Sequence, residues 1–451
     1  MDREALKASL KEYVCKHRDE IISDLFSLVR IPSVAEKNDG ELPFGKGVDE
    51  VLSASAKLFS EKGIPMEVRH RDGYAISVLE GEGAGIGVFA HGDVVPVTDD
   101  WIKTAPFEPL EENGFLFGRG IQDNKAGIAE TLHAVLALRQ IGYPIKHALT
   151  LYVGGCEEQG MKDMEAFCAK ERMPRVSLVP DGSFPVGIGE KGLLRVDCVS
   201  KIPLREVKKL NGGSAYNVVL DRVEVETLKG DSFEEKGTPA HAAIPQKGVN
   251  AAHLAAKRLL EKGNLCENDR EILKSFLDLS FSCTGEGVRI ASEGIFGALT
   301  CANGMVRVRE DGKLYFSLDI RYGNEVDPAG CETTLLQALE EKGFEGSVWE
   351  NQPGFLLEKT DNRDLDTILE VCRDLFSDPD AKPYLSSGGT YARCLKNAYS
   401  MDNTPKSARC PDLPAGHGGA HQSDETLTVE SLLNGTVQLA LLIAALDGLD
   451  G

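Results

Sequence analysis

Short apolar segments recur along the first 190 residues of the chain, at positions 86–90, 148–153 and 176–179. Each is bounded by glycine or polar residues, which is typical of strands that are covered on both faces of a sheet. Between the first two segments, residues 124–142 carry apolar side chains at helical spacing, and the pattern stops at Gly142. This alternation predicts an α/β sheet with helical crossovers.

The pattern changes after about residue 190. Alternating strand patterns such as 193–201 and 313–322 are separated there by long helical patterns. We therefore predict an α/β fold with a central mixed, largely parallel sheet that is interrupted by an inserted α+β domain. The α/β domain is predicted to comprise residues 1–189 and 358–451, and the inserted domain residues 190–357.

Composition and charge restrict the possible partners. The chain has 451 residues, 42% of them hydrophobic and 27% charged, as in ordinary soluble globular proteins. Its formal net charge of −21 disfavours nucleic acids and anionic membrane surfaces, because like charges repel. Neither class of partner is expected.

The location of the protein is predicted from three features. The N-terminal 20 residues lack the apolar centre and the small-residue cleavage site of a signal peptide. The longest apolar run, 439–446, is too short to span a bilayer. The eleven cysteines include no C-x-x-C pair and fit reduced thiols better than a disulfide framework or a zinc ribbon. These features favour a cytoplasmic protein.

Polar side chains stand where the predicted strands end. In open α/β sheets, ligands bind beyond the carboxyl ends of the strands, so these side chains are expected at one rim. Two further candidates lie before the predicted helix and on a late glycine-rich loop. The strand-end residues are His91, Asp93, Glu157, Glu158 and Asp181, and the two others are Asp123 and His421.

Imidazole and carboxylate together are the ligands expected for zinc, manganese or cobalt. Each residue alone has a simpler explanation: a hydrogen-bonded His-x-Asp pair, solvated glutamates or a turn aspartate. Glu130 and His133 have the Glu-x-x-His spacing of a di-iron site, but the sequence offers no second such motif, so His133 is interpreted as structural. The glycines at 81–87 precede a strand instead of following one, which argues against a dinucleotide loop.

Seven motifs in order resemble the M-twenty family of metallopeptidases, which includes aminoacylases, carboxypeptidase G, succinyl-diaminopimelate desuccinylase and the dipeptidase V group. The likeness covers nearly the whole chain. Two stretches, "FPVGIGEKG" and "SSGGTYARCL", are most similar to the dipeptidase V branch. The seven motifs are "SLVRIPSV", "HGDVVP", "GRGIQDNKAG", "GGCEEQG", "PDGSFPVGIGEKG", "GTPAHAAIPQKGVNAA" and "GGAHQSDE".

The resemblance implies a zinc-peptidase-like catalytic domain that holds two divalent metal ions per chain, zinc first and manganese or cobalt as alternatives. Asp123 would bridge the two ions. His91 and Asp181 would complete one site, and Glu158 and His421 the other. The two ions would bind and ionise a bridging water.

The resemblance also assigns roles to residues beside the metals. Asp93 would orient the imidazole of His91. Glu157 would be the general base that takes the proton of the water and later delivers it to the leaving amine.

Three residues of the inserted domain resemble family positions that contact the substrate. His241 would stabilise the oxyanion of the tetrahedral intermediate. Arg321 would hold a substrate carboxylate, because the paired N–H donors of a guanidinium group match a carboxylate better than a lysine ammonium group does. Asn217 would assist in substrate binding. The domain, interpreted as a lid, is expected to act within its own chain, so a monomer is predicted.

Two positions depart from the family pattern. Relatives usually have Asp-Asp-Lys-Gly where this chain has Asp-Asn-Lys-Ala from Asp123, so an amide, Asn124, follows the bridging carboxylate. The peptide after the bridging aspartate is often cis in relatives, and whether Asn124 preserves this is open. Cys156 stands where relatives carry an acid before the two glutamates, which removes no ligand.

The sequence is therefore interpreted as a metal-dependent dipeptidase that hydrolyses unblocked dipeptides. An aminoacylase or N-acyl-amino-acid deacylase is the alternative among enzymes. A catalytically silent metal- or peptide-binding protein is the alternative of another class, and Glu157 argues against it, because binding alone does not require a base.

Overall fold

The computed structural model describes residues 2–36, 40–358, 362–402 and 410–449. Two compact units make up the chain. The first unit comprises Met1–Ile188, Leu357–Tyr384 and Thr390–Gly451, and the second comprises Gly189–Leu356 and Leu385–Gly389.

The helices of the described residues are α1 (Arg3–Lys16), α2 (Arg18–Val29), α3 (Lys46–Glu61), α4 (Lys125–Ile141), α5 (Lys162–Lys170), α6 (Ala251–Lys262), α7 (Glu267–Ser280), α8 (Pro328–Glu341), α9 (Arg363–Phe376) and α10 (Val429–Asp447). The strands are β1 (Glu67–Arg69), β2 (Tyr74–Leu79), β3 (Glu82–His91), β4 (Leu110–Glu112), β5 (Phe115–Phe117), β6 (His147–Gly154), β7 (Val176–Val179), β8 (Gly187–Glu190), β9 (Gly192–Pro203), β10 (Val207–Asn211), β11 (Arg222–Thr227), β12 (Ser232–Lys236), β13 (Glu293–Gly294), β14 (Gly297–Ala298), β15 (Thr300–Ala302), β16 (Val306–Val308), β17 (Lys313–Tyr322), β18 (Phe344–Gln352), β19 (Phe355–Leu356), β20 (Tyr384–Ser386), β21 (Ala398–Ser400) and β22 (Thr426–Thr428).

The first unit is built on a mixed sheet in which the strands follow the order β1-β2-β6-β3-β7-β21-β8. Its central pairs, β6 with β3, β3 with β7 and β7 with β21, are parallel, whereas β1-β2, β2-β6 and β21-β8 are antiparallel. The predicted α/β class with a central mixed sheet is confirmed, and its parallel part lies in the middle. The three apolar segments named above form β3, β6 and β7, and all four residues of β7 are buried.

Helix α4 follows the predicted pattern closely. It begins directly after Asn124 and ends at Ile141, and the next residue, Gly142, adopts a left-handed conformation with φ 74°. Glycine adopts this conformation without a steric penalty, so it ends the helix where the sequence indicated. Most of the side chains of α4 are buried, because the helix packs against α10, α2 and the sheet.

The C-terminal helix α10 is longer than the apolar run 439–446 suggested. By length and a hydropathy of 1.6, it would suffice to cross a bilayer, which corrects the expectation that no segment is long enough. However, 78% of the apolar 18-residue stretch of α10 is buried inside the protein, where the helix packs against α4, α9 and α1. Its hydrophobicity is therefore that of a central core helix.

The second unit has a sheet with the order β15-β17-β9-β18, and its pairs are antiparallel. Both predicted strands are confirmed, as β9 and β17. Side chains along β9 alternate between buried and partly exposed. The buried positions, such as Leu194 and Val196, join one core with residues of α6, α7 and α8. The opposite face of this sheet carries polar residues.

Candidate metal centre

The predicted strand-end residues meet at one edge of the central sheet. His91 is the last residue of β3, and Asp181 follows the end of β7 by two positions. Glu157 and Glu158 lie in a short 3-10 helix that begins three residues after β6. Because β6, β3 and β7 are neighbouring parallel strands, their carboxyl ends lie on the same edge.

Asp123 lies between two imidazoles. Its Oδ1 is 3.0 Å from Nε2 of His91, and its Oδ2 is 3.1 Å from Nε2 of His421. Nε2 of His421 is also 2.9 Å from Oε1 of Glu158, and Nε2 of His91 is 3.6 Å from Oδ2 of Asp181. One carboxylate oxygen of Asp123 thus faces His91, which lies near Asp181. The other faces His421, which lies near Glu158.

Two overlapping groups of side chains are close enough to hold a metal ion. The first consists of His91, Asp123 and Glu158, and the second of His91, Glu157 and Asp181, with ligand atoms within 4.8 Å of one another in each group. His91 is fully buried, whereas His421 keeps 39% of its side chain exposed. Imidazole and carboxylate donors of this kind fit divalent cations of the zinc, manganese and cobalt type.

Glu157 offers a further sign that the site fits a cation. Its Oε1 is buried and has no hydrogen-bond partner among the described residues. A buried carboxylate oxygen without a partner is costly, and a cation or a water at this point would satisfy it.

Asp93 connects the strand end of His91 with the turn of the two glutamates. Nδ1 of His91 is 3.0 Å from the backbone oxygen of Asp93 and 3.3 Å from its Oδ1. The same carboxylate accepts hydrogen bonds from the backbone N–H groups of Glu157 and Glu158, each over 3.1 Å. One buried carboxylate therefore touches both elements.

Asn124, the departure from the family pattern, uses both ends of its amide. Its Oδ1 accepts a hydrogen bond of 3.3 Å from the backbone N–H of His91. Its Nδ2 donates to the backbone oxygen of Pro180 and, over 3.4 Å, to Oδ1 of Asp181. A carboxylate could not donate these bonds, so the amide is the side chain that joins these two strand ends. The peptide between Asp123 and Asn124 is cis.

Glu425 is a site residue that the sequence analysis missed, although it ends the quoted motif "GGAHQSDE". Its carboxylate is 1% exposed and pairs with Nη1 of Arg119 at 2.7 Å. It also accepts backbone hydrogen bonds from Gly120, Gln122 and Asp123 over 2.9–3.1 Å. Glu425 thereby holds the loop that presents Asp123.

The loop that carries His421 is held in a similar way by Asp424. Its carboxylate accepts hydrogen bonds from the backbone N–H groups of Ile102 and Lys103, at 2.9 and 2.7 Å. It also lies 2.6 Å from Nδ1 of His417. His421 itself has a positive φ of 66°. The glycine-rich sequence predicted a loop here, but not these partners.

The crowding of charges shifts the pKa values of the site. Burial lowers the pKa of His91 and His421, but their neighbouring carboxylates outweigh it and raise the pKa of His421 to about 11. Burial raises the pKa of Glu157, and so does the charge of Asp181. Burial likewise raises the pKa of Glu158, followed by the charge of Asp123. Such concentrated negative charge favours a divalent cation.

His133, interpreted as structural, lies in the buried interior of the first unit. Its Nε2 is 2.8 Å from Oδ2 of Asp24, and its Nδ1 is 3.2 Å from the hydroxyl of Tyr13. The side chain thus ties α4 to α1 and α2, which confirms the structural interpretation.

The three predicted substrate residues lie in the second unit. Asn217 and His241 are neighbours there, because Ala242 donates its N–H to the backbone oxygen of Asn217 over 2.9 Å and Val218 bridges to His241. His241 is exposed, and its Nδ1 accepts a hydrogen bond of 3.2 Å from the N–H of Ala243.

Arg321 lies on the polar face of β17 and is 6% exposed. Its Nε donates to Oδ1 of Asp319 over 3.0 Å, and its Nη1 donates to the backbone oxygen of Ser387 over 2.8 Å. Asp319 is fully buried and also accepts a hydrogen bond of 3.0 Å from Nε of Arg195. The guanidinium of Arg321 is therefore held in place by partners of its own unit.

Known proteins resemble the chain over nearly its whole length. A protein of Staphylococcus aureus (strain USA300) named "Putative dipeptidase" is 26% identical, over 94% of this chain and 97% of its own length. The crystal structure of human carnosine dipeptidase 1 shares the fold with a TM-score of 0.65 at 16% identity, covering 98% of this chain and 99% of the other. The M20 family metallo-carboxypeptidase Sso-CP2 from Sulfolobus solfataricus gives a TM-score of 0.60 at 16% identity, covering 95% and 100%.

Residues 87–445 match the family described as Peptidase family M20/M25/M40. This range contains every candidate ligand described above. The chain belongs to this peptidase family, whose members are metal-dependent hydrolases that act on peptide bonds.

Proposed function

We propose that the protein is a dipeptidase that hydrolyses unblocked dipeptides with two bound divalent cations, zinc or alternatively manganese or cobalt. The observation that carries the proposal is the position of Asp123, whose two carboxylate oxygens face the imidazoles of His91 and His421 separately. A carboxylate between two donor sets is the arrangement that a bridging ligand requires.

Asp123 would hold both cations. His91 and Asp181 would complete one site, and Glu158 and His421 the other. The bound cations would act as Lewis acids that polarise the scissile carbonyl group and lower the pKa of water. Asp93 would keep His91 in the orientation that exposes Nε2, since it contacts Nδ1 of the same ring.

Glu157 would serve as the general base. Its buried Oε1 is free to take a proton, and burial together with the charge of Asp181 raises the pKa of its carboxyl group. A raised pKa suits a group that must first accept a proton and then deliver it to the leaving amine. The hydrogen bond from its N–H to Asp93 fixes the backbone that carries it.

The preference for unblocked dipeptides follows from charge. A free dipeptide has an ammonium group at one end and a carboxylate at the other. The acidic groups around the site, among them Asp93 and Glu157, would attract the ammonium group, whereas an N-acyl group gains nothing from them. Arg321 would bind the carboxylate with its remaining guanidinium donors, and Asp319 would hold the guanidinium group in a fixed orientation.

His241 would stabilise the oxyanion, and Asn217 would assist in substrate binding. Both assignments rest on the family resemblance, supported by the neighbouring positions of the two residues in the second unit. We further propose that the second unit, residues 190–357 in the sequence-based division, acts as a lid within its own chain and that the protein is a monomer. A cytoplasmic location also stays a prediction, and the eleven cysteines are free thiols.

The two alternatives would require different features of the site. An aminoacylase or N-acyl-amino-acid deacylase would need an apolar acyl pocket and would not use the acidic groups for an ammonium. A silent binding protein would have no use for the free buried oxygen of Glu157.

The experiment is a comparison of kcat/KM for unblocked dipeptides, their N-acetylated and C-terminally amidated versions, and N-acetyl amino acids, each with zinc, manganese and cobalt. Blocking either end should reduce kcat/KM at least about tenfold, or roughly 1.4 kcal/mol of transition-state binding. Equal kcat/KM for N-acetyl amino acids and free dipeptides would instead favour the aminoacylase.

Arginine variants test the carboxylate-binding role separately. Arg321→Ala should lower kcat/KM for the free dipeptide and abolish the discrimination against its amide. Arg195→Ala is the matched control, because it also removes an ion pair to Asp319. If both variants retain the discrimination against the amide, Arg321 does not bind the carboxylate.

A further inference from the structure

Four consecutive backbone N–H groups precede and enter the turn of the candidate base, and two buried carboxylates accept all of them. Asp93 accepts those of Glu157 and Glu158, as described above. Asp163, near the start of α5, accepts those of Gly155 and Cys156 with its Oδ2 over 2.9 and 3.3 Å. Asp163 is fully buried, so these bonds are shielded from water.

Tyr391 completes the arrangement around Asp163. Its hydroxyl donates a hydrogen bond to Oδ2 of Asp163. Its ring packs edge-on against the imidazole of His91, with centroids 6.3 Å apart and planes at 84°. Tyr391 lies in the stretch "SSGGTYARCL", and the proposed mechanism gives this tyrosine no role. One buried side chain therefore touches both the support of the glutamate turn and a candidate metal ligand.

Gly154 shows how closely these groups approach the strand end. A β-carbon at this position would collide with the hydroxyl oxygen of Tyr391 and with Oδ2 of Asp163. Only glycine leaves room for both, which explains a glycine at the end of β6.

We propose that Asp163 and Tyr391 are positioning residues for the metal centre: they fix the turn that carries Glu157 and Glu158 relative to His91. This inference rests on the proposed function, since it assumes that Glu158 is a ligand and Glu157 the base. Removal of a residue that orients a metal ligand typically lowers metal affinity or activity by about 10- to 100-fold.

Tyr391→Phe is the decisive variant, because it removes the hydroxyl and keeps the ring against His91. Its matched control is Tyr399→Phe. Tyr399 is also fully buried and donates a hydrogen bond of 3.0 Å, but to Oδ1 of Asn362, the residue that precedes α9. Both variants therefore lose one hydrogen bond of a buried tyrosine in the same unit.

We expect Tyr391→Phe to weaken zinc binding at least about tenfold, measured by competition with a chelator. At saturating zinc, its kcat should fall by a similar factor with KM within about twofold. Tyr399→Phe should leave zinc affinity and kcat within about twofold of the wild type. Asp163→Asn should have a larger effect in the same direction, and Tyr391→Phe decides the question if that variant does not fold.

Equal zinc affinity in the two tyrosine variants would overturn the inference. A wild-type protein that binds no cation and cleaves no dipeptide would refute the proposed function itself. A wild type that does both, with Tyr391→Phe indistinguishable from Tyr399→Phe, would refute only the positioning role.

Discussion

The backbone N–H of Glu157 donates to Oδ1 of Asp93 over 3.1 Å, although 64 residues separate the two along the chain. The same Oδ1 lies 3.3 Å from Nδ1 of His91. The candidate base and a candidate ligand therefore share one rigid support. Asp93 holds Glu157 by its backbone N–H. A substitution of the Glu157 side chain should therefore change catalysis without displacing the turn that carries Glu157 and Glu158.

Glu157→Gln should retain the metals and lose about 10²- to 10⁴-fold in kcat, because an amide cannot take up the proton. The adjacent Glu158→Gln is the matched control, since it should instead weaken metal binding. Metal content and turnover of the two purified variants would be measured side by side. A Glu157→Gln protein within about threefold of wild-type turnover would rule out the base, and one that loses metal would identify Glu157 as a ligand.

Glu425→Gln should destabilise the protein by about 3–5 kcal/mol, because it leaves the buried guanidinium of Arg119 without a counter-charge. Glu112→Gln is the control. Glu112 is 43% exposed and pairs with Lys103, so its loss should cost no more than about 1 kcal/mol. The free energy of unfolding from urea titration provides the measurement, and similar values for both variants would contradict the buried support of the Asp123 loop.

His253 should make the stability of the second unit dependent on pH. Burial lowers its pKa to about 3 from the ordinary 6.5, and the charge of Lys257 adds to this. Between these values the unfolded chain binds a proton that the folded chain does not. The free energy of unfolding should therefore be unaffected above pH 6.5 and fall as the pH drops toward 3, by up to about 1.4 kcal/mol per pH unit.

His253→Gln tests this dependence. Its free energy of unfolding should fall less steeply between pH 6.5 and pH 4 than that of the wild type, whatever its value at pH 7. The ring nitrogen Nε2 lies 2.9 Å from Oγ of Ser280, and glutamine can replace this contact. The free energy of unfolding of both proteins would be measured by urea titration at several pH values. If it falls equally steeply with pH in the wild type and in His253→Gln, His253 is not kept neutral by the fold.

His241→Ala should reduce kcat by about 10²- to 10³-fold, the usual effect of losing one oxyanion donor, and leave metal content unchanged. If the residue acts within its own chain, mixing this variant with His421→Ala should restore no activity. Recovery of activity in the mixture would show that subunits share His241 and would contradict the monomer.

The strand ends could be predicted because their signals are local. Short apolar segments such as 176–179 predict buried strands. The polar residues that follow parallel strands meet at the same edge of the sheet. The supports of the site could not be predicted in this way. Tyr391 and Asp163 are separated by 228 residues, and Arg119 and Glu425 by 306, so no periodic pattern relates them.

One partner could have been found from the sequence. Asp319 lies two residues before Arg321 on the same strand, and side chains at this spacing share a face of the sheet. The extent of α10 was underestimated for a different reason. Glu430, Asn434 and Gln438 interrupt the apolar pattern before residue 439, although the helix begins at Val429.

The central claim is that hydrolysis of a dipeptide requires two cations held around Asp123, and a metal titration tests it most directly. Chelator-treated protein would be titrated with zinc while the hydrolysis of one unblocked dipeptide is followed. The account predicts no activity without metal and a rise that reaches its plateau at about two ions per chain. Full activity of the metal-free protein would contradict it.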